Sequence, residues 1–75
     1  MDALIYMKGY PRPAEARFED AEWKRLCKDL GNFKKKGKPT SGTYECVSWN
    51  GMGDPYPATI TLEFADIERV IRSAG

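Results

Sequence analysis

Histidine is absent from this 75-residue chain, and cysteine occurs only twice. No apolar run approaches the ~20 residues that a membrane-spanning helix needs. Without imidazole the chain lacks the commonest general base, and no Ser or Cys stands in a recognisable activating context. The expectation is therefore a protein with no catalytic residues, not an enzyme. The paired-Cys spacing of a zinc site is missing as well, so no metal is expected. Gly51-Met52-Gly53 has neither the lysine nor the strand-to-helix setting of a phosphate loop, and no cofactor is expected either. So small a chain encloses little dry volume, which argues against a small-molecule substrate. Twelve basic residues face eleven acidic ones, a formal charge of +1, far from a strongly basic domain. The N-terminus shows no basic stretch, long apolar core and small-residue cleavage site of a signal peptide. These exclusions lead to a cytoplasmic single domain spanning residues 1–75, complete from Met1. Cys27 and Cys46 read either as buried, unpaired thiols of a reducing compartment, the favoured expectation, or as a disulfide pair.

Within those bounds, the stretch Glu19–Leu30 organises the chain. Trp23, Leu26, Cys27 and Leu30 recur at i, i+3, i+4 and i+7, the stripe of an amphipathic helix. Asp20–Lys24 and Arg25–Asp29 are opposite charges at i, i+4. Phe18 fits the residue before the cap and can fold onto Trp23, with Glu19 and Glu22 spaced as a capping box. Gly31-Asn32 is expected to end the helix.

Ala3–Met7 reads as a strand, either buried on both faces or with its aromatic on the less covered side. Pro11 and Pro13 stop it. Ala14–Arg17 reads as a loose turn. Residues 32–42 read as a lysine-rich loop, Thr43–Trp49 as a strand, 50–57 as a long connection, and Ala58–Phe64 as the clearest strand. Residues 66–72 suit either a short helix or a bent strand. The expected architecture is a two-layer α+β domain in β-α-β-β order: one main helix (about 19–30) on a small, mostly antiparallel sheet. The first strand should lie beside one of the last two. The expected core is Leu4, Ile5, Tyr6, Trp23, Leu26, Cys27, Leu30, Val47, Ile60, Leu62, Phe64 and Val70.

Two features point to partners. Trp49, Met52 and Tyr56, with Pro55 and Pro57 stiffening the backbone, have the make-up of a protein-contact loop. Tyr10 and Arg12 form a similar segment. Lys34, Lys35, Lys36 and Lys38 concentrate positive charge, suited to steering association or to contacting RNA or single-stranded DNA phosphates. The bland readings are a Trp49 that closes the core and a solvated lysine loop.

In size, balanced charge and single β-α-β-β unit, the chain resembles small phage-encoded regulators that bind host RNA polymerase. Leu4-Ile5-Tyr6-Met7-Lys8-Gly9-Tyr10 and Leu62-Glu63-Phe64-Ala65-Asp66-Ile67-Glu68-Arg69-Val70 look like the two ends of such a protein. The resemblance implies a stoichiometric inhibitor or modulator of host transcription, and it transfers no functional residues. A small subunit of a larger complex, such as an antitoxin, is indistinguishable from it by sequence.

Overall fold

A computed structural model describes residues 1–73. The chain runs β1 (Asp2–Met7), β2 (Ala14–Arg17), α1 (Asp20–Lys36), β3 (Ser41–Trp49) and β4 (Pro55–Glu63). A 3₁₀ turn at Phe64–Asp66 then leads into β5 (Ile67–Ser73). The strands form one antiparallel sheet in the order β4-β3-β2-β1-β5. The α+β class is as expected, but the order is richer than β-α-β-β. Ala14–Arg17 is a strand, and the end of the chain takes the strand alternative. β1 lies between β2 and β5 instead of beside β3 or β4.

The helix outlasts its expected end. It continues through Gly31 to Lys36 and stops at Gly37, in the left-handed region at φ 78°, whose N–H bonds to the Phe33 carbonyl. Phe33 explains the extension. It continues the Trp23/Leu26/Leu30 stripe and meets Phe64 at 5.9 Å between ring centroids. That packing outweighs the ~1 kcal/mol a mid-helix glycine costs relative to alanine. Lys34, Lys35 and Lys36 therefore sit in the last helical turn, favourable to the helix dipole, and not in a loop.

At the other end, Phe18 is fully buried against Trp23, with centroids 5.9 Å apart, as a staple should be. The capping box does not form. Glu19 makes no side-chain cap bond, and Glu22 turns to Arg25 instead. The expected i, i+4 pairs are replaced likewise. Arg25 pairs with Glu22, and Asp29 accepts a hydrogen bond from the Tyr44 hydroxyl at 2.8 Å.

The sheet cannot be flat. Glu63 stands beside Ser41, and Ile67 beside Met7. Extrapolated on a flat sheet through the Arg17–Val47 pairing, those two points lie well over ~30 Å apart. The intervening 3₁₀ turn spans at most ~14 Å. The sheet therefore coils strongly, with one face inside. That concave face carries Ala3, Ile5, Ala16, Tyr44 and Leu62, and α1 closes it with Leu26 while Phe18 and Phe64 seal the ends. Each large apolar side chain sealed there contributes roughly 1.5–3 kcal/mol.

The core differs from expectation in a patterned way. Ile5, Leu26, Leu62 and Phe64 are buried, and Trp23, Leu30, Ile60 and Val70 pack against them. Leu4, Tyr6 and Val47 alternate onto the convex face, so β1 has its aromatic on the less covered side. Cys27 falls at the exposed margin of the stripe and Cys46 is half-buried; both thiols are free, not sealed in the core. Tyr44 takes the central place. Its ring lies along β3 over Gly42, in space that a Cβ there would fill.

Gly42→Ala should therefore lower stability by about 1–3 kcal/mol through overpacking against the Tyr44 ring. Tyr44→Phe, which only orphans the Asp29 contact, should cost about 1 kcal/mol. Urea denaturation checks both; an unchanged Gly42→Ala midpoint contradicts the placement of the ring.

Candidate functional site

The sequence-expected contact residues separate in space. Register pairs Trp49 with Pro55 and Ser48 with Tyr56, so Trp49 and Tyr56 point to opposite faces of the β3–β4 hairpin. The long connection is in fact short, because Pro55, Tyr56 and Pro57 already belong to β4. Asn50 closes the turn: its Oδ1 accepts the Met52 and Asp54 amides at 2.9 and 3.0 Å. Met52 projects from the tip, 88% exposed, and Tyr10 stands 73% exposed in the turn after β1 with Arg12 also exposed beyond it. Tyr56 (45% exposed) rims a recess of about 250 Å³ near Ala14 and Ser48.

The convex face brings other residues together. Pro55 opposes Trp49, Glu15 opposes Leu4, and Leu4 opposes Ile71. Carrying the Arg17–Val47 pairing two residues along places Glu15 beside Trp49. Pro55, Trp49, Glu15, Leu4 and Ile71 thus form one row across all five strands. Val47 and Tyr6 flank it on the same face. Two arginines stack on rings of this face: Arg17 lies 5.5 Å from the Trp49 centroid and Arg69 lies 4.5 Å from that of Tyr6. Arg17 is itself fixed by Asp2, Nε to Oδ1 at 2.6 Å. Pro55 and Glu15 are exposed on this row, and Trp49 and Leu4 are half-buried. Ile71 is 37% exposed there.

Beside the row, β2 ends and α1 begins. The four-residue β2 leaves part of β3 without a strand partner, and the helix supplies one from side chains. The Glu45 amide donates to Glu22 Oε2 at 2.8 Å, and Arg25 Nη2 donates to the Thr43 carbonyl at 2.8 Å. Arg25 also lies 4.5 Å from the Tyr44 ring centroid. A recess of about 470 Å³ opens here, lined by Arg17, Glu19, Glu22, Glu45 and Val47 among others. Hydrogen bonds and burial shift several titratable groups in and near it. The Arg25 hydrogen bond, then the Glu45 amide, hold the Glu22 carboxyl below its ordinary range. The Arg17 hydrogen bond does the same for Asp2. Desolvation raises the Cys46 thiol, which disfavours the reactive thiolate. Burial first, and the bond to Asp29 second, push the Tyr44 phenol up.

Sequence reasoning missed the convex row. Leu4, Val47 and Tyr6 read as core because an apolar strand residue gives no sign of which face is covered. The pairing that assembles the row depends on β2, a four-residue strand with only Ala14 and Ala16 as apolar signal. Comparison with protein-family models, with curated proteins and with solved structures finds no match.

Both depressed carboxyls stabilise the fold above their unfolded values and lose that contribution as pH falls. Stability should therefore decline as pH drops through and below the ordinary values of 4.5 for Glu22 and 3.8 for Asp2. The decline should be shallower in Glu22→Gln. Urea midpoints between pH 7 and 3 test this; a variant with the wild-type pH profile contradicts the assignment.

Proposed function

We propose that this domain is a non-enzymatic protein-binding module acting by stoichiometric contact through the convex sheet face. The observation that carries the reading is the convex-face row of Pro55, Trp49, Leu4 and Ile71, interrupted by Glu15, with Pro55 and Ile71 exposed and Trp49 and Leu4 half-buried. Stacking of Arg17 on Trp49 and of Arg69 on Tyr6 lowers the side-chain freedom these rings lose on docking. The partner is then a protein whose apolar surface carries a cationic side chain opposite Glu15. Met52 stands exposed at the hairpin tip beyond Trp49, whereas Tyr56 lies on the opposite face. The phage-regulator resemblance makes RNA polymerase the first partner to test, although its β-α-β-β basis is replaced here by a five-strand order. The absence of histidine and the raised Cys46 thiol favour binding over chemistry.

The test is a binding titration against purified bacterial RNA polymerase, together with affinity capture and mass spectrometry of bound proteins. Ile71→Asp and Glu15→Lys, each verified as folded, should abolish wild-type captures, and Trp49→Ala should weaken them at least about tenfold as a central aromatic contact. Tyr10→Ala and Tyr56→Ala should retain them. Captures that survive every convex-face variant contradict this surface.

A further inference from the structure

The near-neutral composition hides a segregated charge pattern on α1. Lys24, Lys28 and Lys35 recur at i, i+4 and i+11, and all three are exposed on the crest turned away from the Trp23/Leu26/Leu30/Phe33 stripe. Lys34 and Lys36 flank the crest at its C-terminal end, and Lys38 follows Gly37. The helix's acidic residues beyond the first residue are turned inward. Glu22 is taken by Arg25 and the Glu45 amide, and Asp29 by the Tyr44 hydroxyl. From Lys24 to Lys38 the crest is left with positive charge alone, and among the described residues none of these lysines joins an ion pair.

A second observation bears on the same line. Gly31 sits at i+7 from Lys24, between Lys28 and Lys35. A Cβ there would meet nothing within 4 Å, and its φ is not positive, so neither packing nor backbone conformation calls for glycine. A mid-helix glycine weakens the helix and otherwise marks a place where an outside body approaches the backbone closely.

We propose that the α1 crest is a nucleic-acid interface that grips the phosphate backbone of a duplex without reading sequence. Lys24, Lys28 and Lys35 span ~16 Å of rigid helix, and Gly31 lets the backbone of α1 lie close against the strand. Single-strand binding relies on aromatic platforms for unstacked bases, and this crest carries none. The duplex is therefore favoured over the single strand. The interface is independent of the convex sheet face on the other side of the molecule.

Fluorescence anisotropy with a labelled 20-base-pair DNA duplex, over a salt series from low ionic strength, tests the proposal. Three to five phosphate contacts predict log K falling with log salt at a slope of about −2.7 to −4.5. Lys24→Gln/Lys28→Gln/Lys35→Gln should weaken binding to every duplex sequence and reduce the slope by about 2.7. Gly31→Ala should raise the melting temperature of the free protein yet weaken duplex binding, a combination that a purely structural glycine would not produce. Ile71→Asp should leave duplex binding unchanged. No binding at low salt, a triple variant that binds like wild type, or tighter binding to single strands or polyglutamate than to duplex would each overturn it.

Discussion

A mismatch in strand length governs this molecule. β3 has nine residues and β2 four, so β3 before Val47 runs past β2 without a strand partner on that side. The backbone groups of Thr43 and Glu45 face the gap that remains. Two side chains one helical turn apart on α1, Glu22 and Arg25, satisfy them while bonding each other at 2.9 Å. Both bonds lie at the exposed sheet edge, where each contributes about 0.5–1.5 kcal/mol net. The helix is thus stitched to the sheet edge as well as packed on its face, and its azimuth is fixed.

That fixed azimuth sorts the rest of the surface. With Trp23, Leu26, Leu30 and Phe33 turned inward and Glu22 and Asp29 bonded to β3, the outward crest carries Lys24, Lys28 and Lys35 with Gly31 between them. The gap also lets the β3–β4 hairpin bend away from β1, β2 and β5, which the short 3₁₀ turn requires. Bending puts one sheet face around the core and exposes the other. Leu4, Val47, Trp49 and Ile71 are left outside by the same geometry that buries Ile5, Tyr44 and Leu62. The two surfaces with partner potential therefore follow from one internal arrangement: an aromatic-aliphatic row on the convex sheet and a basic ridge on the opposite helix.

Much of this was legible in the residues. The helix, the Phe18–Trp23 staple, β1, β3 and β4 follow from periodicity that needs no tertiary information. The helix terminus did not follow, because Gly31 is a local stop signal overruled by Phe33 reaching Phe64, a contact across the fold. β2 was invisible, since Ala-Glu-Ala-Arg carries almost no apolar signal and gains its strand identity from β1. Tyr44 was absent from the expected core, yet Gly42, two residues earlier on the same face, makes room for it. The contact residues fared unevenly for a geometric reason. Trp49 and Tyr56 look adjacent in a loop, but once Pro55–Pro57 join a strand, the two-residue alternation parts them. The lysines were legible as a cluster, though not that Lys24 and Lys28 belong with them along one helical line.

The stitch between α1 and β3 can be read one amide at a time by native-state hydrogen exchange. In Glu22→Ala the Glu45 amide should lose its protection, while the Tyr44 amide, bonded towards β4, keeps it. Equal protection of Glu45 in both proteins would mean that β3 is satisfied without the helix, and the surfaces described above would lose their common cause.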